Sequence, residues 1–172
     1  MISRKPWFER RFTFDLPVSA APGLIERLRG TPIRLEHRLS GLTTPQLTAR
    51  HGGHWSLQEN AGHLGDLEPL WMARAEDLAV GRATLHPADL ENRRTHEAQH
   101  NQAALAVLLA RFREARVDLV HQLEAADEAD WERSAMHPRL QTPMRLLDHA
   151  FFIAEHDDHH LATITELLRY TS

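Results

Sequence analysis

Two histidines four residues apart, His156 and His160, are the residues of this sequence best suited to metal chemistry. Residues i and i+4 of an α-helix lie on one face, so both imidazoles can point at a single ion. The spacing alone is weak evidence, because the chain carries 13 histidines in 172 residues and has a second such pair, His96 and His100. The direction in which each pair points therefore decides its meaning.

Helical phase separates the two pairs. On the last helical segment His160 falls within the apolar stripe and His156 lies at its edge, whereas His159 points away and is expected to be solvated. His96 and His100 both point away from the apolar stripe of their own segment. That phase predicts a solvated first turn for the second pair and leaves the first pair as the metal candidate.

A third ligand has to come from another helix, because an i,i+4 pair fills only two positions of a coordination shell. His63 is the best candidate, since it flanks the apolar face of its segment beside Leu67 and Leu70. Its small neighbours Ala61 and Gly62 would let a metal or substrate approach the backbone. A histidine at the edge of an apolar face is also commonly structural, so phase leaves both interpretations open.

A three-histidine site would leave a metal with open positions for water or a substrate atom. The pKa of water bound at such sites falls to about 7, and the same position can instead bind the thiolate of a small cofactor. Asp66, Glu68 and Asp157 are close enough in sequence to assist, and Glu68 and Asp157 are the candidate catalytic carboxylates. Asp157 lies near the centre of an apolar face, so it requires a partner such as an arginine or a ligating imidazole.

Composition restricts the chemistry and the partners. The chain contains no cysteine, which excludes disulfides, thiolate metal sites and a cysteine nucleophile. Imidazole and carboxylate ligands suit zinc or nickel, with manganese or iron as alternatives. A net charge of -4 and a pI near 6.3 argue against nucleic-acid binding. The sequence shows neither a membrane-spanning apolar run nor the apolar segment of a secretory signal, so we expect a cytoplasmic protein.

The elements that must position these residues are helices. Residues 1–21 are expected to form an irregular arm whose aromatic side chains pack onto a single domain over residues 22–172; these are Trp7, Phe8, Phe12 and Phe14. A helical pattern from Leu24 to Leu39 is broken at Gly30 and restarts at Thr31-Pro32. Strand-like alternation is absent, and four long helical segments predict an all-α, antiparallel four-helix bundle.

Capping residues and prolines indicate the boundaries of the second and later helices. Ser56-Leu57-Gln58-Glu59 is a capping box that opens a helix running to about Val80, with Gly81 as its C-terminal cap and Pro69 as a predicted kink. A third helix is expected from about Glu97 to Ala126. A loop over residues 130–141 then leads to Thr142-Pro143, which is predicted to open the last helix, ending near Tyr170.

Three stretches resemble the DinB/YfiT-like superfamily of metal-dependent four-helix-bundle proteins. They are the sequence Trp-Ser-Leu-Gln-Glu-Asn-Ala-Gly-His-Leu over residues 55–64, Met-His-Pro-Arg-Leu over residues 136–140, and His-Asp-Asp-His-His-Leu-Ala-Thr-Ile over residues 156–164. They occur in the family's order and on the expected helices, and the resemblance covers about residues 22–170. Each stretch is moderately specific, and the three together are strong.

The resemblance implies a divalent metal held by one histidine of the second helix and two of the last, here His63, His156 and His160. It also implies a homodimer. It implies a small-molecule substrate as well, because similar proteins are transferases or isomerases that use a low-molecular-weight thiol. Where the family often has a glutamine after the last ligand, this chain has Thr163. The additional histidines, His149 and His159, leave open whether one of them replaces a ligand.

Three hypotheses follow from these observations. The first is a divalent-metal-dependent enzyme, either a hydrolase or a thiol-dependent transferase. The alternative is a non-catalytic, metal-binding stress-response bundle protein. The third is a dimeric bundle that binds no metal and in which hydrogen bonds satisfy the buried histidines. His137, in the second matching stretch, is expected to cap a turn or to lie at the surface; the resemblance offers the alternative that it faces the entrance of the site.

Overall fold

The computed structural model describes residues 4–170, and four long helices form its body. They are α1 (Ala21–Leu39), α3 (Leu57–Ala79), α5 (Leu105–Glu124) and α7 (Leu146–Leu167). The connections contain three short helices and a hairpin: α2 (Thr44–Thr48), α4 (Arg93–Glu97), α6 (Glu128–Glu132), β1 (Ser134–His137) and β2 (Thr142–Arg145). The predicted all-α four-helix bundle is confirmed. No helix within residues 4–170 is long and apolar enough to cross a membrane.

The four long helices pack in an order that differs from their order in the chain. Helix α3 packs against α5 and α7, and α1 packs against the same two helices. Helices α1 and α3 are therefore diagonal to each other, although they are consecutive long helices. Short connections favour side-by-side neighbours, whereas the connection of residues 40–56, which joins these two diagonal helices, is long enough to cross the end of the bundle. This arrangement places α3 beside α7, where the candidate ligands lie.

Helix α1 continues through Gly30 and Pro32, so the predicted break is wrong. Proline has no backbone N–H, which leaves the carbonyl of Leu28 without its usual helical partner. The side chain of Arg116 supplies the missing donor, with Nη1 lying 3.1 Å from the oxygen of Leu28. A long-range hydrogen bond thus satisfies the carbonyl that Pro32 frees, and the sequence pattern of one helix could not reveal it.

Helix α3 begins and ends as predicted. The hydroxyl of Ser56 accepts from the backbone N–H of Glu59, and the carboxylate of Glu59 accepts from the backbone N–H of Ser56. Gly81 follows the helix with a φ of 70°, a left-handed conformation that favours glycine. The segment remains α-helical on both sides of Pro69.

Two expectations about the second half of the chain are wrong. The third long helix begins at Leu105, because residues 93–102 form α4 and a 3-10 turn (His100–Gln102) that dock against α3. The segment before the last helix contains the antiparallel hairpin β1–β2, in which Ser134 pairs with Arg145. Thr142-Pro143 therefore belongs to a strand, and α7 begins at Leu146. The four-residue strands are too short for a period-of-two pattern to stand out.

The core consists of two apolar clusters separated by a buried charged layer. One cluster contains Leu28, Trp71, Leu119 and Ile153, and the other contains Leu35, Leu64, Phe112, Leu161 and Ile164. Between them lies the charged centre, which we define as Glu68, Arg116 and Asp157, one residue from each of α3, α5 and α7. All three side chains are almost completely buried.

Candidate metal centre

His63, His156 and His160 converge between α3 and α7. Each offers a ring nitrogen that lies within 4.8 Å of those offered by the other two. The ring centroids are 4.6 Å apart for His156 and His160, 4.8 Å for His63 and His160, and 5.4 Å for His63 and His156. All three rings are buried. One ion can therefore contact all three imidazoles, and the residues singled out by the sequence are brought together.

Asn60 fixes the orientation and tautomer of His160. The side-chain amide of Asn60 donates to the carbonyls of Trp55 and Ser56, which identifies its other atom, Oδ1, as an acceptor. Oδ1 lies 2.9 Å from Nδ1 of His160. The proton of a neutral His160 therefore resides on Nδ1, and Nε2 keeps the lone pair that a metal requires.

A relay of three side chains orients His63 in the same way. Nδ1 of His63 lies 2.9 Å from the hydroxyl of Thr95, and that hydroxyl donates to Oδ2 of Asp66 over 2.9 Å. Since the hydroxyl proton is given to the carboxylate, its oxygen accepts the N–H of His63. Nε2 of His63 is left as the lone-pair donor. Asp66, one of the three carboxylates considered from sequence, thus acts through Thr95.

His156 lacks such a partner. Its Nδ1 is buried and has no hydrogen-bond partner among residues 4–170. Indole rings surround it instead, with the centroids of Trp7 and Trp71 lying 5.0 and 5.6 Å from its own. An unpaired polar atom inside an aromatic enclosure costs free energy. The protein therefore fixes the tautomer of two of the three rings, and the three imidazoles together form a donor set that suits a divalent ion.

Burial keeps the three imidazoles neutral. Loss of hydration lowers the pKa of His63 to about 4 and lowers the pKa values of His156 and His160 well below the ordinary value. The neighbouring imidazoles lower all three further when they carry charge, because like charges repel. Metal binding requires the neutral form, so the environment prepares the ligands for an ion at neutral pH.

A cavity of about 200 Å³ opens beside the three histidines. The N-terminal arm closes part of it, because the ring of Trp7 packs edge-on against those of Phe152 and His156. The expectation that the arm packs onto the body is met by Trp7, Phe12 and Phe14. Phe8 is the exception, since it is 56% exposed at the rim of the cavity.

Glu68 and Asp157, the two carboxylates considered as catalytic, do not line this cavity. Arg116 engages both, with its Nη2 lying 2.6 Å from Oε1 of Glu68 and its Nη1 lying 2.5 Å from Oδ2 of Asp157. The requirement that Asp157 have a partner is satisfied by an arginine, one of the two partners considered. The geometry favours a structural role for this charged centre.

The additional histidines of α7 do not belong to the group of three imidazoles that converge. Nε2 of His149 lies 3.0 Å from the carbonyl oxygen of Trp71, which occupies that nitrogen as a donor. His159 was expected to be solvated, but it is half-buried at the edge of the cavity, and Nη1 of Arg4 lies 2.6 Å from its Nε2. The arm that packs over this face covers a side chain that helical phase had placed in solvent.

His100 is the clearest correction to the phasing argument. His96 is exposed as predicted, whereas His100 is 3% exposed and its Nε2 lies 2.7 Å from Oδ2 of Asp66. A Cβ atom added to Gly62 would lie 2.3 Å from Cγ of His100. Gly62, the small residue beside His63, therefore makes room for the imidazole of His100 and not for a metal or a substrate. Phasing failed because residues 98–104 do not continue the helix.

Sequence reasoning missed the residues that orient the ligands and line the far end of the cavity. Asn60 lies three positions before His63, one turn away, and that spacing was a usable signal. Thr95 and Arg74 are distant in the chain and gave none. His137 is buried, so the surface alternative for it is wrong; its Nδ1 does cap the hairpin turn, accepting the backbone N–H groups of Arg139 and Leu140.

Comparison with known proteins identifies the family. The model of the DinB superfamily matches residues 27–164. The chain belongs to the DinB superfamily. No curated protein sequence gives a significant match.

Two solved structures share the fold. YfiT from Bacillus subtilis, described as a probable metal-dependent hydrolase with an unusual four-helix bundle topology, superposes with a TM-score of 0.83 and 21% identity, covering 94% of this chain and 93% of that one. The mycothiol-dependent maleylpyruvate isomerase superposes with a TM-score of 0.67 and 13% identity; the match covers 86% of this chain and 60% of the isomerase. At these identities the similarity concerns the fold.

Proposed function

We propose that this DinB-superfamily protein is a divalent-metal-dependent enzyme that acts on a small molecule in the cavity beside His63, His156 and His160. The reaction is a hydrolysis or a transfer to a low-molecular-weight thiol. The observation that carries the proposal is the convergence of three buried, neutral imidazoles, two of which have their outward N–H groups fixed by protein acceptors. Histidines that only fill a bundle core have no need for lone pairs directed at one point.

The number of ligands favours an enzyme over a storage or structural site. Within residues 4–170 the group of metal-ligating side chains consists of the three histidines. Structural zinc sites are closed by four protein ligands, whereas catalytic sites keep a position free. A bound divalent ion would supply Lewis-acid chemistry at that free position. Zinc and nickel suit three imidazoles, and manganese or iron are alternatives.

The protein's own residues supply orientation and the exclusion of water. Asn60 and Thr95 hold two of the rings, and aromatic walls from Trp7, Trp55 and Trp71 line the cavity. Because the chain has no cysteine, any thiol in the reaction must come from a separate molecule. The descriptions of the two similar structures, one as a probable metal-dependent hydrolase and the other as a mycothiol-dependent isomerase, support both branches of the proposal.

Metal content of purified, tag-free protein tests the proposal. We expect about one equivalent in the wild type and little in His63→Ala or His160→Ala. His121→Ala, an exposed histidine of α5, is the matched control and should keep the wild-type content. Wild-type metal content in His160→Ala would refute the site.

Cobalt substitution then tests the open position. A cobalt-loaded protein should change its visible spectrum when N-acetylcysteine is added if a thiol can bind at the free position. Cobalt whose spectrum responds neither to the thiol nor to azide would indicate a closed coordination shell and a non-catalytic site.

A further inference from the structure

The far end of the cavity carries two arginines that form no ion pair with a carboxylate within residues 4–170. Arg74 is 1% exposed and lines the cavity, and within residues 4–170 it forms no ion pair. Its Nε donates to the carbonyl oxygen of His86 over 2.8 Å, and its Nη1 faces His137. A buried guanidinium without a counter-ion is costly. The nearest carboxylate that acts on it is that of Asp77, which is occupied by Arg82 and by His86.

Arg139 adds a second cation at the same place. It lines the cavity, its Nη2 is buried, and that atom has no hydrogen-bond partner in the described part of the chain. Its guanidinium lies over the ring of Phe8, 5.4 Å from the centroid. The proximity of Arg139, after burial, lowers the pKa of Arg74 to about 10. Two arginines that repel each other therefore lie side by side, and neither forms an ion pair in the described part of the chain.

His137 supplies a third donor. Its Nδ1 accepts two backbone N–H groups, from Arg139 and Leu140, so the single proton of the neutral ring belongs on Nε2. Nε2 lies 3.2 Å from Nη1 of Arg74, which is also a donor. Two donors therefore face each other with no acceptor between them. An anionic oxygen placed beside both would resolve the conflict.

The carboxylate that lines this cavity is engaged by backbone donors. Asp89 lines the same cavity, but its two carboxylate oxygens accept the backbone N–H groups of Glu91 and Arg93. Trp71 connects the cationic end to the metal-binding end, since its centroid lies 5.7 Å from the guanidinium carbon of Arg74 and 5.6 Å from the centroid of His156. One small molecule in the cavity can therefore reach both.

We propose that Arg74, Arg139 and His137 form an anion subsite that binds a carboxylate group of the substrate, so that this protein acts on a small organic acid. The aromatic and aliphatic walls between the subsite and the histidines suit the hydrocarbon part of such an acid. This inference extends the proposed function by naming the substrate class. It concerns binding by protein side chains, so it can be tested without a metal.

Titration of metal-free protein with butanoate and with butanamide, its uncharged analogue, tests the subsite through tryptophan fluorescence and the arginine side-chain NMR signals. We expect butanoate to bind at least about ten-fold more tightly than butanamide. Arg74→Gln should weaken butanoate binding by about ten-fold or more and leave butanamide unaffected. Arg111→Gln, an exposed arginine of α5 that does not line this cavity, is the matched control.

Equal affinity for the acid and the amide would overturn the proposal. So would butanoate affinities within about two-fold of wild type in both Arg74→Gln and Arg139→Gln. Arg139 is only partly buried in the hairpin turn, so its variant keeps the test valid if Arg74→Gln fails to fold. Tighter, Arg74-dependent binding of inorganic phosphate would replace the carboxylate assignment. Butanoate binding by a protein that takes up no metal would refute the proposed enzyme and leave the subsite standing.

Discussion

Two buried polar regions of this bundle differ in how their charges are matched. In the charged centre, Arg116 faces Glu68 and Asp157, and its remaining donor capacity reaches the Leu28 carbonyl that Pro32 frees. In the cavity, by contrast, three imidazoles converge on one candidate metal position, and Arg74 forms no ion pair among the described residues. Both regions lie on α3 and α7, so burial alone does not distinguish them.

This difference distinguishes buried charges that stabilise the fold from buried groups that are available to a ligand. A buried ionic group that is satisfied entirely by its own chain has no capacity left for a ligand and acts to join helices. A buried group with unused lone pairs or donors makes the free protein less stable, and it is retained where a ligand completes it. On this criterion we infer that the carboxylates of Glu68 and Asp157 join helices, and we propose that the imidazoles and arginines of the cavity bind ligands.

The largest effect is expected from breaking the charged centre. Arg116→Met leaves two carboxylates buried without a cation and removes the donor to Leu28. Loss of one partner of a buried pair costs about 3–5 kcal/mol, so the free energy of unfolding should fall by that amount in urea denaturation. The same loss should occur in metal-free and metal-loaded protein.

Two controls sharpen this prediction. Arg113→Gln removes an arginine that pairs with Glu36 at the surface, where both side chains are 51% exposed, and it should cost less than about 1 kcal/mol. Replacing all three charged residues together with Met, Gln and Asn should recover much of the loss. A metal-dependent effect of Arg116→Met would mean that the two regions are one functional unit.

Metal removal should affect only the cavity. A ligand present at about 100 times its dissociation constant stabilises the folded state by about 2.7 kcal/mol. A chelator should therefore lower the melting temperature of the metal-loaded wild type by several degrees, and it should leave that of His160→Ala unchanged. Differential scanning calorimetry measures the melting temperatures. Equal shifts in both proteins would mean that the chelator acts elsewhere.

Gly62→Ala tests the packing of His100 against α3, next to the candidate ligand His63. The new Cβ would lie 2.3 Å from Cγ of His100, so the His100–Asp66 contact must shift. Overpacking of this kind costs about 1–3 kcal/mol. Gly65→Ala, on the same helix, brings a Cβ to 3.5 Å from Phe112, which is ordinary contact, and should be neutral or slightly stabilising. Chemical denaturation of both variants measures the contrast, and equal stabilities would contradict it.

The sequence predicted those parts of the site that lie on regular helices. Periodicity placed His63, His156 and His160 correctly, because each lies on an unbroken α-helix where an angle of 100° per residue holds. The same procedure failed for His100, which follows the end of α4 and lies in a 3-10 turn. It also failed for His159, because the arm that covers this residue is distant in the chain.

Long-range hydrogen bonds account for the remaining errors. The break in α1 was predicted from the pattern of that segment alone. It does not occur, because Arg116, a residue of another helix, satisfies the carbonyl freed by Pro32. The cationic end of the cavity was missed for a related reason: Arg74 reads as an ordinary helical arginine, and only the packing of the hairpin over α3 shows that no acid accompanies it. Local pattern predicts faces of helices, whereas unpaired charge becomes visible only after tertiary contacts are known.

The smallest predicted effect concerns the relay behind His63. Thr95→Val removes the hydroxyl that accepts from His63 and donates to Asp66 while keeping nearly the same shape. The ring can then rotate or adopt the other tautomer, and loss of such outer partners weakens metal binding by about 10- to 100-fold. Zinc affinity measured by competition with a chromophoric chelator gives the value. Thr95→Ser retains the hydroxyl and should bind zinc like the wild type. If the valine and serine variants bind zinc with the same affinity, the three imidazoles are held by packing alone. The contrast between the charged centre, whose groups satisfy one another, and the cavity, whose groups need a ligand, would then not extend to the residues that orient the imidazoles.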